Sequence, residues 1–144
     1  MKWLISLFGT LLTLAALAQN LSSDGQHYVV DIELQTAEEF QQLLSRAEQL
    51  LLAGVTVSRG EPKVTFVLHG PVLRNLLRDN YLDNKRMVDL AASLTAMEII
   101  DLKACNTWML SQEISAEELQ PFVETVDYGP AEIKRLLEIN YLNF

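Results

Sequence analysis

The chain has 144 residues, of which 49% are hydrophobic and 21% are charged, a composition typical of a folded globular protein. Its 19 acidic and 11 basic residues give a formal net charge of −8, which disfavours nucleic acids and anionic membrane surfaces as partners. One cysteine and two histidines exclude an intramolecular disulfide and disfavour a Cys-rich or His-rich metal centre, so we expect neither a metal nor a cofactor.

The start of the chain has the pattern of a secretory signal peptide. A positive residue precedes an apolar run, and Ala16-Leu17-Ala18 supplies small residues for cleavage. A run of about 14 residues rises only about 21 Å as a helix, which is short of the roughly 30 Å hydrocarbon core. We therefore expect no stable membrane anchor, cleavage of residues 1–18, and a mature domain of residues 19–144 in the periplasm or outside the cell.

The first half of the mature chain predicts a strand, a helix and a second strand. β-Branched and aromatic residues predict a strand at residues 27–34. A capping box at residues 36–39 predicts the start of an amphipathic helix, which ends at Gly54. Residues 63–68 form a mostly apolar run that stops at His69-Gly70-Pro71, as expected of a buried strand.

The second half repeats this alternation, and each element is marked by its start signals or by its apolar spacing. Proline is favoured in the first turn of a helix, and serine, aspartate and asparagine are favoured as helix caps. In chain order we predict a helix from Pro71, a helix capped by Asp83 or Asn84 and ending near Met97, a strand at residues 98–104, a short helix at 107–112, a capping box at 115–118, a strand at 122–126 and a helix at 130–139.

Strands that alternate with helices predict the α/β class. We expect one domain with a mainly parallel β-sheet flanked by helices, because parallel strands need crossovers and about 126 residues leave no room for two cores. In such sheets ligands bind beyond the carboxyl ends of the strands. His69 and Cys105 both follow the carboxyl end of a predicted strand, so they lie where function is expected.

The lone thiol is the strongest candidate for chemistry. Cys105 lies where a strand gives way to a helix, whose amino end favours the nucleophilic thiolate form. If the two strands are neighbours, His69 can serve as a base or an ion-pair partner for the sulfur. Two alternatives stay open: Cys105 is a small buried hydrophobe, and His69 is a histidine that only helps to end its strand.

The residues that flank this pair are the predicted binding residues. Gly70 and Pro71 give a tight exit from the strand and a preset helical φ, and exposed amides at the start of that helix suit an anion. Asn106 and Thr107 follow the cysteine directly. Trp108 and the methionine after it either line a pocket for a sulfur-containing ligand or belong to the core, and the core is the favoured interpretation.

Three stretches together resemble the DsrE/DsrF-like family. They are residues 67–71 (Val-Leu-His-Gly-Pro), residues 103–105 (Lys-Ala-Cys) and residues 129–136 (Gly-Pro-Ala-Glu-Ile-Lys-Arg-Leu), followed by Asn140-Tyr141. The resemblance extends over residues 28–144. It implies a three-layer α/β sandwich, subunits that assemble into homo-oligomers, and sulfur-relay chemistry in which a cysteine after a central strand accepts sulfur as a persulfide and passes it to a partner protein.

By position, Cys105 matches the family cysteine, and His69 with Gly70 matches the family His-Gly. We therefore expect an exported sulfur-handling protein, a carrier more than a turnover enzyme, whose Cys105 thiolate binds or carries persulfide sulfur. Its expected partners are further copies of itself and a sulfur donor or acceptor, either a protein or a small sulfur species. The alternative is a non-catalytic, oligomeric ligand- or partner-binding module in which Cys105 is only packed.

Overall fold

A computed structural model describes residues 25–55 and 57–144 of the chain. The predicted signal peptide and its cleavage site lie outside these residues. The regular elements are β1 (Tyr28–Ile32), α1 (Ala37–Leu52), β2 (Val64–Leu68), α2 (Lys85–Ala96), β3 (Ile100–Cys105), α3 (Asn106–Ser111), β4 (Val123–Val126), α4 (Gly129–Glu138) and β5 (Leu142–Asn143), with 3-10 helices at Pro71–Leu76, Arg78–Asn80 and Ala116–Glu118.

The strands form one five-stranded sheet, which is parallel throughout, in the order β4-β3-β2-β1-β5. In the central register Ile32 lies beside Leu68, and Leu68 lies beside Ala104. The predicted α/β class with helices around a parallel sheet is confirmed. No helix within residues 25–55 and 57–144 combines the length and the apolar character needed to cross a bilayer.

The two faces of the sheet carry cores of very different size, because successive side chains of a strand point to opposite faces. One face holds the main core, formed by alternate strand residues such as Phe66 and Leu102 and by the buried sides of α1, α2 and α3. On the other face a small cluster of Val29, Val67 and Leu136 packs under α4. α4 contacts β1, β2 and β3 and is the layer that covers this second face in the described part of the chain.

Local sequence signals account for both ends of α1. The Thr36 hydroxyl accepts the Glu39 N–H at 3.2 Å, and the Glu39 carboxylate accepts the Thr36 N–H at 3.1 Å, so the predicted capping box is formed. Donation from the backbone N–H groups of Thr36 and Gln35 lowers the pKa of Glu39. At the other end Gly54 adopts a φ of 77°, a left-handed conformation that favours glycine, and the helix stops as predicted.

Several predicted elements differ from the structure, and local backbone conformation accounts for most of the differences. The segment that begins with Pro71 is a short 3-10 helix, and its chain enters through Gly70 at a φ of 94°. Asn84 does precede α2, but its side-chain amide donates to the Asn80 carbonyl at 3.0 Å instead of capping the helix. β3 begins two residues late, after Glu98 at a φ of 57°. The sequence prediction also lacks β5 altogether.

Candidate functional site

His69 and Cys105 are neighbours at the carboxyl edge of the sheet. β2 pairs with β3 in parallel, with Leu68 beside Ala104, and each candidate residue is the next along its own strand. The His69 backbone N–H donates to the Ile32 carbonyl at 2.9 Å, so the ladder with β1 continues through the histidine. The strand order, which the sequence leaves open, therefore brings the two predicted catalytic residues together.

The Cys105 sulfur lies at the amino end of α4. The side chain is only 3% exposed, and Cys105 immediately precedes α3. Its Sγ accepts the backbone N–H of Gly129, the first residue of α4, at 3.3 Å. Helix amino ends carry a partial positive charge, so this position stabilises negative charge on the sulfur.

Close approach of α4 to the sheet requires a glycine at this contact. A Cβ placed on Gly129 would lie 3.2 Å from Val67 Cγ1, which is a tight contact, and 3.4 Å from Cys105 Cβ, which is the near limit of ordinary contact. The backbone φ of Gly129 is not in the left-handed region, so the demand for glycine is one of space. The N–H of Gly129 reaches the sulfur because nothing stands between the two backbones.

The His69 ring is held from the opposite side by an acid on β1. Its Nε2 lies 2.5 Å from Asp31 Oδ1, with the histidine side chain 23% exposed and the aspartate side chain 57% exposed. An ionised carboxylate only accepts hydrogen bonds, so Nε2 is the donor. Within the described part of the chain, no hydrogen bond joins the ring to Cys105 Sγ.

Both predicted catalytic side chains open onto one pocket at this edge. Its volume is about 300 Å³, and its walls are mostly apolar. The lining residues are His69, Cys105, Thr107, Trp108, Ser111, Tyr128 and Pro130. A larger groove of about 460 Å³ runs along α1, but its lining of Gln, Glu, Ser and Arg side chains holds no nucleophilic thiol and no imidazole. The smaller pocket is therefore the candidate site.

Only one of the four predicted binding residues forms part of the pocket wall. Thr107 lines the pocket, but its hydroxyl and its backbone N–H both donate to the Asp127 carbonyl, at 2.7 and 3.2 Å. Gly70, Pro71 and Asn106 are not among the lining residues. Gly70 serves the fold through its positive φ, and Thr107 shapes the wall with its bonds already made.

Two interpretations were open for Trp108 and Met109, a place in the pocket wall or a place in the core. Met109 is fully buried in the main core, as favoured from the sequence. Trp108 packs against that core and also lines the pocket, so one side chain does both. Aromatic rings make favourable contacts with sulfur, which fits a wall beside a thiol.

Sequence reasoning missed five residues of the site, which are Asp31, Gly129 and the pocket-lining residues Ser111, Tyr128 and Pro130. Asp31 interrupts an otherwise apolar strand near its carboxyl end, and this polar insertion was the available signal. Gly129 starts the Gly-Pro pair that opens α4, but its contact with the sulfur depends on the tertiary fold. Tyr128 gave no signal beyond its place before that pair.

Farther along β3 and on the same face of the sheet, a group of ion pairs surrounds Lys103. Its Nζ lies 3.2 Å from Asp101 Oδ2 and 3.2 Å from Glu124 Oε2. Burial lowers the pKa of Lys103, but the two carboxylates outweigh it and the net pKa is raised. Burial raises the pKa of Asp101 in spite of the nearby lysine. No group of three or more His, Cys, Asp or Glu side chains in residues 25–55 and 57–144 is arranged to hold a metal ion.

Comparison with known proteins shows a similarity of fold. No protein-family model matches the sequence, and no curated protein matches it. A solved structure does match: a protein of unknown function, MTH1491, from Methanobacterium thermoautotrophicum, with a TM-score of 0.64 and 18% sequence identity. The similarity covers 83% of this chain and 97% of the other. At this identity the likeness shows the α/β fold alone.

Proposed function

We propose that this is an exported, homo-oligomeric sulfur-handling protein of the DsrE/DsrF-like kind, in which Cys105 carries persulfide sulfur to a partner. One observation carries the proposal: the Cys105 sulfur accepts the Gly129 N–H at the amino end of α4, at the base of an open pocket that His69 also lines. A thiolate is stabilised there and remains within reach of a small donor.

Loading requires no external oxidant. The Cys105 thiolate attacks the protonated terminal sulfur of a hydropolysulfide, and a new S–S bond forms on the protein. The terminal S–S bond of the donor breaks, and its electron pair leaves on the shortened polysulfide. The transferred sulfur is already at the sulfane oxidation level, so the donor supplies both the atom and its oxidation state.

Unloading is the same exchange in the other direction. A thiolate of the acceptor attacks the outer sulfur of the persulfide, and Cys105 leaves as a thiolate with the electron pair. Stabilisation of that thiolate by the Gly129 N–H makes it a better leaving group. Because loading and unloading return the protein to its starting state without further chemistry, the role is that of a carrier.

The proposal is tested by exposing the purified protein to inorganic polysulfide and analysing the Cys105 peptide by mass spectrometry after alkylation. We expect a gain of one sulfur atom at Cys105, which is released by dithiothreitol. Cys105→Ser is the matched control and takes up no sulfur. An unmodified wild-type peptide, under conditions in which the same donor persulfidates a small-molecule thiol, contradicts the proposal.

The low exposure of Cys105 favours a second candidate function. A side chain that is 3% exposed, beside a mostly apolar pocket, also fits a ligand- or partner-binding module in which the cysteine is a packing residue. Alkylation of the native protein separates the two candidates. A thiol that reacts only after unfolding favours the binding module, and a thiol that reacts in the native state favours the carrier.

A further inference from the structure

We propose that Asp31 is a positioning residue, which holds the His69 ring in the tautomer whose free lone pair is on Nδ1, so that Nδ1 takes the proton of the Cys105 thiol. The inference rests on the proposed function and extends it by naming how the thiolate forms. It assigns a chemical purpose to an acid that is not part of the pocket lining.

The tautomer follows from the contact itself. Asp31 Oδ1 lies 2.5 Å from His69 Nε2, and an ionised carboxylate has no hydrogen to donate. Nε2 must therefore carry the hydrogen, and in the neutral ring Nδ1 is left as the acceptor. A carboxylate that bonds to one imidazole nitrogen in this way fixes the tautomer and the orientation of the ring.

The surrounding backbone keeps this contact in register with the sulfur. β1, β2 and β3 are adjacent and parallel, and the His69 backbone N–H is bonded to Ile32, one residue after Asp31. The histidine side chain is 23% exposed and lines the same pocket as Cys105. One nitrogen of the ring is thus bound on the β1 side, while the ring forms part of the pocket wall that Cys105 shares.

The proton has a complete path. His69 Nδ1 accepts it from the Cys105 thiol through one water in the pocket, and the ring becomes an imidazolium. Asp31 stabilises that cation by its negative charge. The thiolate then attacks the donor, and the imidazolium returns the proton to the departing sulfur, so the proton and both electron pairs are accounted for.

The first measurement reads the ring directly. Nitrogen-15 NMR of His69, at a pH above the ordinary range of histidine titration, reports which nitrogen carries the hydrogen. We expect the Nε2–H form in the wild type and a mixture of both tautomers in Asp31→Asn. Glu33→Gln is the matched control, because it removes the same charge from an exposed neighbour on the same side of the chain and has no bond to the ring.

The second measurement is the rate of Cys105 alkylation by iodoacetamide in the native protein. We expect Asp31→Asn to slow the reaction about tenfold, part of the effect of a general base, and Glu33→Gln to leave it unchanged. In a His69→Ala background the Asp31→Asn change should have no further effect, because Asp31 acts through the ring.

Three outcomes overturn the inference: an unchanged tautomer in Asp31→Asn, an unchanged alkylation rate, or an equal loss of rate with and without His69. None of these depends on sulfur uptake. If wild-type Cys105 takes no sulfur from polysulfide, the proposed function fails while the role of Asp31 in thiol activation is still decided by these two measurements.

Discussion

The backbone N–H of Gly129 connects the packing of α4 with the candidate site, because it donates to the Cys105 sulfur. Every residue except proline has an N–H to offer the Cys105 sulfur, but a side chain at this position would press against Val67 and loosen the approach of α4. A Cβ at this position would meet Val67 and Cys105 together, one a core residue of the second face and the other the proposed carrier. The identity of residue 129 therefore affects stability and thiol chemistry at once.

We expect Gly129→Ala to lower the free energy of unfolding by about 1–3 kcal/mol, as overpacking does in a tight contact. The Val67 side chain and the start of α4 must move apart by a few tenths of an ångström to admit the methyl group. Urea unfolding followed by circular dichroism measures the change as a lower midpoint with an unaltered slope.

Gly25→Ala is the matched control for this substitution. A Cβ at Gly25 meets no atom of residues 25–55 and 57–144 within 4 Å, so the same chemical change should leave the unfolding midpoint close to that of the wild type. Equal midpoints for Gly129→Ala and the wild type would mean that the contact between α4 and β3 is looser than these distances indicate.

At the scale of elements, few apolar contacts hold α4 on the sheet, and a charge pair within the helix stabilises the helix itself. Arg135 donates to Glu132 through two nitrogens, at 2.8 and 2.7 Å, while the Glu132 side chain is only 13% exposed. These hydrogen bonds, against the opposing effect of burial, lower the pKa of Glu132. The pair lies one turn into the helix that delivers the Gly129 N–H to the sulfur.

Because the pKa of Glu132 is lowered in the folded protein, its ionised form stabilises the fold above the ordinary value of 4.5. This contribution is lost as the pH falls through the lowered folded-state pKa. We expect Glu132→Gln to destabilise the protein by about 0.5 kcal/mol at neutral pH, since Arg135 is half exposed. Urea unfolding at several pH values should show the difference from wild type shrinking below pH 4.5.

The control on the same helix is Glu138→Gln. Glu138 lies 3.9 Å from Lys134, both side chains are well exposed, and such a pair contributes little. Its substitution should change the unfolding free energy less than that of Glu132 at neutral pH. A difference for Glu132→Gln that is constant across the pH range would show that ionisation of Glu132 does not stabilise α4.

Elements whose signals are local were predictable from sequence, and those set by distant partners were not. The capping box and the terminal glycine of α1 lie within the helix and its flanks, so α1 was placed within a residue or two. β5 exists because the Leu142 N–H donates to the carbonyl of His27, just before β1, and the Phe144 N–H donates to the carbonyl of Val29 in β1. A strand of two residues is too short to show a periodic pattern, so residues 142–143 alone do not predict it.

The candidate site was likewise predictable only where its signals are local. A cysteine and a histidine after predicted strands could be placed at one edge of a parallel sheet, because all strands of such a sheet end on the same side. Their adjacency required the order of β2 and β3, which is set by packing across the whole sheet. The bonds from Asp31 to His69 and from Gly129 to Cys105 join residues 38 and 24 positions apart, beyond the reach of local pattern.

At the scale of the whole molecule, we predict self-association. Large apolar side chains are exposed around the pocket mouth and the carboxyl-terminal region, among them Leu110, Tyr128, Ile139 and Leu142. Exposed apolar surface is favourably buried between subunits. Light scattering at micromolar concentration should give a mass that is a multiple of the chain mass, and a monomeric mass at every concentration tested would contradict the prediction.

The unequal cores on the two faces divide the molecule into regions of different local stability. Detaching α4 exposes only the small cluster of Val29, Val67 and Leu136, whereas separating α1 and α2 from the sheet exposes the main core. We therefore expect α4 to detach from the sheet at a lower cost in free energy than α1 or α2. Release of α4 also breaks the bond between the Gly129 N–H and the Cys105 sulfur, so hydrogen exchange at the Gly129 amide should follow the detachment of the helix.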